Sequence, residues 1–465
     1  MDPVPATASA RLRQDLARHG RDAVAYQGLE PGLSAWCDPA GAVAYLDTGG
    51  AWIAAGGPHA APADRAAVAQ RFVDAARAAG RRASLFAVDD EPAWPGFDRV
   101  LLGEQPAWDP QQWDAIVRGH RSLREQLRRA RAKGVRVRRV TPAEVAVGTP
   151  LRRQLDALVD TWLTGRAMEP MQFLVTLVPF AEPELHRYYV AERDGRAVAF
   201  AALVPVPARH GWLIEDLIRG DAVPNGTSEL LIDLALRDLA ADGFRYATTG
   251  LAPLAGAVPA WMRQLGRVGG ALYDFEGLRR FKARFHPPRW DPVWLCYPAG
   301  EAAALHLLDA LRGFAGGGLV GFGVRTVVKH PSALAWVLAV PLVPWTALLA
   351  IAAATGRAGW FGYGPGTLLA WAAFDGLLAV ALWRAARRPR PRLLGAIAGA
   401  AGVDAALSLA HLAQGGFGSG WAVVARLLAT AAPIVGCVGL VWARRQARRR
   451  ARQRAAQAAA ATASA

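Results

Sequence analysis

The 23 residues from Ser332 to Ala354 carry no charge. A helix rising 1.5 Å per residue crosses a hydrocarbon core of ~30 Å in about 20 residues, so this stretch is long enough to span a bilayer. Pro341 and Pro344 are expected to kink it. Thr367–Ala386, Leu393–Ala413 and Trp421–Ala443 are three further candidate spans. Basic residues mark alternate connections. Arg325, Lys329 and His330 precede the first span, Arg384, Arg387, Arg388, Arg390 and Arg392 separate the second from the third, and RRQARRRARQR follows the fourth. The other two connections hold only Arg357 or no charge. The positive-inside rule then puts both termini and everything before residue 332 in the cytosol. Asp375, Asp404, His411 and Arg426 fall inside the spans, where ionisable groups are costly. They either line a lipid headgroup path, pair between helices or sit near the interface. Gly395 and Gly399 have the GxxxG spacing that permits close helix packing.

The spans resolve a conflict in composition. The chain is 53% hydrophobic yet has a net charge of +16 over 465 residues, which does not suit one soluble globule. A soluble part and a membrane part, in two or three domains, accommodate both facts. The arginine excess implies an anionic partner, either nucleic acid or an acidic lipid surface. Richness in Ala, Arg, Gly and Pro points to a high-GC bacterial genome, hence to a multi-pass protein of the cytoplasmic membrane. Cys37, Cys296 and Cys437 lie far apart and outside any CxxC, so neither a metal site nor a disulfide framework is expected. The start of the chain has no apolar h-region, so no cleavable signal peptide is expected.

Ahead of the spans the pattern is mixed α/β. AVAYQ from Ala23, AVAYLD from Ala42 and AWIAAG from Ala51 read as short strands. Pro62–Gly80 reads as an amphipathic helix, and Ala83–Val88 and Val100–Leu102 as strands. This β-β-β-α-β order suits an acyltransferase lobe of the GNAT kind and other α+β folds. Arg118–Arg139 then holds ten Arg or Lys against one acid, Glu125. Leu123, Leu127 and Ala130 supply a thin apolar stripe, so a helix resting on the protein is expected, ending at Gly134. Its outward arginines, Arg121, Arg124, Arg128 and Arg131, suit either an RNA backbone, through counterion release, or an anionic bilayer, at about 1 kcal/mol per basic residue. Thr141–Trp162 is expected to be helical, and Tyr188–Glu192 with Ala197–Pro205 to form a hairpin around Asp194-Gly195.

The next unit runs from Trp212 to Leu254. Trp212–Ile218 reads as a buried strand, Asp221–Gly226 as a turn-rich loop, Ser228–Asp242 as an amphipathic helix and Phe244–Thr249 as a second strand. Glu215, Asp216 and Arg219 sit where the first strand ends. Alternation along a strand puts only one of the two acids on a given face. A helix N-terminus behind such a loop suits an anionic group.

These stretches together resemble the C-terminal synthase domain of the phosphatidylglycerol lysyltransferases, the MprF-type aminoacyl-phospholipid synthases, over roughly Ala23–Pro298. The pieces, in order, are WIAAGGPHAAPADRAAVAQRFVDAARAAGRRASLFAV, VLLGEQPAWDP, GHRSLREQLRRARAKGVRV, LVDTWL, EDLIRGDAVPNG, GLAPL and LRRFKARFHPPRWDPVWLCYP. The resemblance implies two tandem GNAT-like lobes and transfer of an aminoacyl group from aminoacyl-tRNA to a phospholipid headgroup such as phosphatidylglycerol. By position, Asp216 and Arg219 fall on the family's Asp-Leu-Met-Arg motif, Asn225 and Gly226 on its Pro-Asn-Gly turn, and Lys282 on its Phe-Lys-x-Lys/Arg-Phe motif. Glu229 stands where the family usually has Asp, TTGLAPL replaces Leu-Gly-Met-Ala-Pro-Leu, and PVWL replaces Pro-Arg-Tyr-Leu. The large N-terminal membrane part of the lysyltransferases has no counterpart here.

The expected organisation is a flexible 1–22, a GNAT-like lobe at 23–117, a basic connecting helix at 118–134, a catalytic lobe at 135–300, a linker at 301–331, four transmembrane helices at 332–443 and a basic tail at 444–465. In the implied chemistry a lipid hydroxyl or amine attacks the ester carbonyl of the aminoacyl-tRNA. Ester exchange is nearly balanced in energy, so no cofactor and no metal is called for. Asp216 or Glu215 accepts the proton or binds the α-amine, Arg219 and Lys282 hold phosphate or the oxyanion, and Asn225, Gly226, Glu229 and Arg279 contact substrate. One alternative is an acyl-CoA-dependent N-acyltransferase, although RGDAVPNG lacks the usual Gln/Arg-x-x-Gly-x-Gly/Ala loop. The other is a non-catalytic membrane protein that binds lipid or RNA.

Overall fold

The computed structural model describes residues 6–89, 93–165, 171–221, 223–269, 274–316, 318–319, 321–323, 331–357, 364–388, 390–413, 433–434, 436–445 and 447–448. The chain forms two compact units, Met1–Arg166 with Pro170–Leu319, and Ala167–Glu169 with Val320–Ala465.

The first unit is built on one mixed sheet of 13 strands. The strands are β1 (Ser34–Asp38), β2 (Gly41–Asp47), β3 (Ala51–Ala55), β4 (His59–Ala60), β5 (Arg82–Asp89), β6 (Phe97–Trp108), β7 (Arg136–Val140), β8 (Arg187–Arg193), β9 (Arg196–Val206), β10 (Gly211–Arg219), β11 (Tyr246–Thr248), β12 (Ala252–Pro253) and β13 (Arg289–Pro298). Their main order is β1-β2-β3-β5-β13-β6-β11-β10-β9-β8-β7, with β4 on β2 and β12 on β6. Helices α1 (Ala6–His19), α2 (Arg65–Ala78), α3 (Trp113–Gly119), α4 (Arg121–Ala132), α5 (Pro150–Gly165), α6 (Thr227–Ala241), α7 (Ala260–Gly269), α8 (Phe275–Ala283) and α9 (Ala303–Phe314) complete the unit.

The sheet repeats one plan twice. In each half an antiparallel meander ends in a parallel pair: β3 with β5 across α2, and β10 with β11 across α6. These are the two GNAT-like lobes. The helical period explains why each crossover packs. Val68, Ala69, Phe72, Val73 and Ala76 of α2 are buried, as are Leu231, Ile232, Ala235, Leu236 and Leu239 of α6. Burying each large side chain stabilises the unit by about 1.5–3 kcal/mol. The stretch divided at residue 117 is one continuous sheet, because β13 pairs with both β5 and β6.

Several local expectations differ from the structure. Ala25–Leu29 is a 3-10 helix rather than a strand; its backbone turns back on itself, with Gln27 N donating to Val24 O at 3.1 Å. The start of the chain is not loose throughout: Leu12 and Leu16, four residues apart on α1, are buried. The expected helix at Thr141–Trp162 is two elements. A 3-10 turn at Pro142–Val145 carries a capping box between Thr141 and Glu144, and α5 begins only at Pro150.

In the second unit α10 (Pro331–Ala354), α11 (Pro365–Arg387) and α12 (Pro391–Ala413) run as long helices. Leu334–Ala354, Pro365–Arg387 and Pro391–Ala410 are long and apolar enough to cross a membrane. Most of the fourth expected span, with Arg426, lies outside the described residues. Its later part, 436–445, is helical, and Leu440 and Ala443 pack into one cluster with Ala335, Leu382, Leu394 and Ile397. Asp375 of α11 is buried and accepts a hydrogen bond from Trp345 of α10, as the pairing reading expects. Asp404 accepts from Ser408 Oγ at 3.4 Å. Gly395 faces the Arg444 side chain, while among the described residues a Cβ on Gly399 would meet nothing within 4 Å, so among them the GxxxG spacing makes no close helix crossing.

Candidate active site

The end of β10 departs from regular alternation. Ile214 pairs with Leu203 and Asp216 with Ala202, which leaves Glu215 as an extra residue in a β-bulge. A bulge turns consecutive side chains toward one side and sharpens the local twist. Glu215 and Asp216 therefore both line the same pocket, and the expectation that only one acid reaches the site is corrected. The neighbouring strand withdraws at this level. β10 and β11 pair only from Gly211↔Tyr246 to Leu213↔Thr248, which leaves the sheet open beyond Leu213 on that side.

The pocket is an open cleft with a narrow interior of about 30 Å³. Its walls come from both halves of the sheet. Gln27 and Glu30 belong to the turn following α1, Thr176, Glu182 and His186 to the irregular segment before β8, and Val204 to β9. The first of these turns is pinned from below. Asp22, buried, accepts from Gly57 N and Asp89 N at 2.8 Å each and pairs with Arg65 at 3.2 Å. Asp89 accepts from Ala23 N at 3.0 Å, and Arg209 bridges Asp89 at 3.4 Å and Asp291 at 3.1 Å. Gln27 Nε2 then donates to Leu174 O at 3.0 Å, joining the two walls. Phe173 and Leu174 both adopt left-handed backbone, with φ of 42° and 61°, a strained conformation for such side chains. Both side chains are buried in the first-lobe core, which holds the strain in place.

The pocket is acidic. Glu182 is offset by Arg13 at 2.5 Å, and His186 Nε2 lies 3.5 Å from Glu215 Oε2. Burial pushes the Glu30 carboxyl up to about 8, and the facing charges of Glu215 and Asp216 push it the same way, against a hydrogen bond from Thr176. With Glu30 protonated up to about pH 8 and Glu182 paired with Arg13, Glu215 and Asp216 give the cleft the negative charge that favours a positively charged guest. Among the described residues no group of three His, Cys, Asp or Glu side chains is set to hold a metal ion.

Glu30 yields a pH-dependent expectation. The native state holds its proton up to about pH 8, while the unfolded chain releases it near the ordinary glutamate value of 4.5. Between those limits the native state binds more protons, so this group's contribution to stability falls as pH rises. Glu30→Gln should therefore gain in melting temperature relative to wild type at pH 8 and show little difference at pH 4.5. An equal offset at both pH values would contradict the assignment.

The other sequence-derived candidates lie elsewhere. Arg219 is exposed at the last position of β10 and does not line the pocket. Lys282 is buried, and its ammonium donates to the carbonyls of Thr249, Gly250 and Leu251 at 2.7, 2.7 and 2.9 Å. An ammonium has three N–H donors, so none is left for a phosphate or an oxyanion. Burial lowers the Lys282 ammonium to about 7. Its evident work is to hold the turn between β11 and β12. Arg279 lies over the Trp290 ring at 4.9 Å and 3.9 Å from Glu104. Asn225 is exposed, whereas Glu229 is buried in the first turn of α6. Gly226 has φ of 96°, and a Cβ there would stand 2.2 Å from Gln126 O of α4. It is a close-approach glycine that seats the start of α6 against the basic helix, and that start does not open onto the pocket.

Helix α4 forms as its pattern requires, with Leu123, Leu127 and Ala130 buried and Arg121, Arg124, Arg128 and Arg131 exposed. Their partners differ. Arg124 donates to the carbonyls of Val117 and Arg118, closing the end of α3. Arg128 pairs with Glu125 at 3.0 Å. Arg131 reaches the buried Asp233 of α6 at 3.0 Å, and Asp233 also accepts from Trp113 Nε1 at 2.9 Å. Arg131 is therefore a strut between helices, and Arg121 and Arg128 are the two best placed to meet an external anion. Sequence reasoning missed Glu30, Thr176, Glu182 and His186. No local motif marks them, because they meet Glu215 only through long-range packing.

The sequence profile of the family described as phosphatidylglycerol lysyltransferase, C-terminal, matches residues 13–297. The chain belongs to that family. No curated protein matches it. Among solved structures, it is similar to the C-terminal domain of a protein described as a lysylphosphatidylglycerol synthetase from Agrobacterium fabrum, at 24% identity and a TM-score of 0.56, over 68% of this chain and 98% of that one. It is likewise similar to the L-PGS of Bacillus licheniformis, at 19% identity and a TM-score of 0.56, over 66% of this chain and 96% of that one. Family membership makes it a transferase of the phosphatidylglycerol lysyltransferase type. The structural likenesses establish the shared fold of the first unit.

Proposed function

We propose that this protein transfers an aminoacyl group from aminoacyl-tRNA to the headgroup of an anionic phospholipid, such as phosphatidylglycerol, at the cytosolic face of the bacterial cytoplasmic membrane. The observation that carries the reading is the bulge that delivers Glu215 and Asp216 together into an acidic pocket shared by both lobes. An aminoacyl ester bears an α-ammonium, and such a pocket attracts it while leaving the ester carbonyl nearer the opening. One carboxylate binds the amine. The other removes the proton from the attacking hydroxyl. The new ester forms as the ribose oxygen leaves, so the chemistry needs positioning and proton transfer rather than an external energy source. Arg219, exposed at the strand end, is suited to a phosphate on either substrate.

The basic helix suits the RNA. Arg121 and Arg128 are exposed, and the Arg128–Glu125 pair is a surface contact worth at most ~1 kcal/mol, so a phosphate can replace it. Replacing both arginines with Ala should leave folding intact and lower the slope of log affinity against log salt for tRNA by about 1.5–2. An unchanged slope would move the RNA elsewhere. The arginine distribution supports a cytosolic position for both termini.

The reading is tested by incubating the full chain in lipid nanodiscs with labelled aminoacyl-tRNAs or labelled acyl-CoAs and extracting the lipid. Label in phospholipid from tRNA supports it. Label from acyl-CoA instead, or from neither donor, refutes it.

A further inference from the structure

His186 has one ring nitrogen committed. Its Nδ1 lies 2.7 Å from the carbonyl oxygen of Glu182. A carbonyl offers only lone pairs, so Nδ1 carries the hydrogen of that bond. Nε2 faces Glu215 Oε2 at 3.5 Å, with the two side chains only 9% and 14% exposed. In the neutral ring Nε2 is a bare lone pair. Two acceptors then face each other at more than hydrogen-bond length, in a place largely closed to water. At 3.5 Å the separation is too long for a hydrogen bonded to both at rest, and a proton arriving there would draw the two together.

We infer that His186 and Glu215 form a slot for one proton, which the attacking hydroxyl of the lipid fills and the departing ribose oxygen empties. This inference rests on the transfer reading above and assigns its proton path. As the lipid oxygen bonds to the ester carbon, its proton passes to Glu215 and is shared with His186 Nε2. When the bond from that carbon to the ribose oxygen breaks, the proton moves to the leaving oxygen, and the pair returns to its starting state. Among the described residues, the other titratable groups lining the pocket are Tyr26, Glu30, Asp216 beside Glu215 and Glu182 on the same turn, and the Tyr188 ring lies 5.7 Å from the imidazole. Glu182 is already paired with Arg13. His186 acts through Glu215 and is a positioning residue.

The test uses the full chain in nanodiscs. His186→Asn keeps an amide donor near Glu182 O and removes the nitrogen that faces Glu215. It should lower kcat by about 100-fold, within the range for a lost acid–base partner, change KM less than threefold, and flatten the pH profile of kcat. The second arm needs no substrate. Nitrogen-15 spectra of the histidine-labelled protein, assigned by loss of one signal in His186→Asn, should show a neutral His186 with Nδ1 protonated and Nε2 bare. Wild-type kcat in the variant, or a hydrogen resident on Nε2 of the neutral ring, overturns the slot. If wild type transfers nothing, the function proposed above fails. The spectra then still decide the resting state of the pair, and a protonated Nε2 still overturns it.

Discussion

Asp216→Asn and Glu215→Gln should each lower the rate of aminoacyl transfer by a factor of about 100 to 10,000, with melting temperatures close to wild type. The range is that of a lost general base or a lost ammonium partner in a partly enclosed site. Both isosteres keep volume and hydrogen-bonding capacity while removing charge. The reason to expect two losses is the bulge. In a regular strand the two side chains would point to opposite faces, and one variant would be nearly silent. Here both acids line the pocket. The two losses should differ in kind. The acid that binds the amine will show in KM for the aminoacyl donor, and the acid that takes the proton will show in kcat. Wild-type turnover in either variant would remove that residue from the mechanism.

The second large effect is on stability. Gly226→Ala should destabilise the first unit by about 3 kcal/mol. Roughly 1 kcal/mol or more comes from placing a Cβ in the left-handed region, and a similar or larger share from crowding a packed interface. The new Cβ would sit 2.2 Å from Gln126 O, a backbone atom that can move away only by shifting α4. Because α4 carries Arg121 and Arg128, the same variant should also weaken tRNA binding, without touching the acidic pocket. A chemical-denaturation midpoint indistinguishable from wild type would show that the α4–α6 contact is looser than described.

Much of this architecture was readable locally, and the exceptions share a cause. The periodicity of Leu123, Leu127 and Ala130 marks α4, and that of the Leu and Ile residues after Ser228 marks α6, since helix faces are set within a few residues. The strand leading to Glu215 and Asp216 was legible for the same reason. Its bulge was not, because a bulge is a property of the pairing with β9. The insertion of β13 between β5 and β6 was equally invisible, as it joins residues roughly 200 apart in the chain. Ala23–Gln27 alternates like a strand but closes into a 3-10 turn, where Glu30 and Gln27 meet a segment near residue 174. Lys282 shows the converse limit. It lies within the run Phe281–Phe285 that matches the family motif, yet three carbonyls take up all of its N–H donors.

The central claim, that the aminoacyl amine sits among acids from both lobes, has a direct test. A structure of the full chain with a stable amide analogue of an aminoacyl-adenosine should show the α-amine within hydrogen-bond distance of Glu215 or Asp216, with Glu30 lining the same cavity. An analogue bound outside this pocket, with Glu215 and Asp216 left facing solvent, would contradict the account.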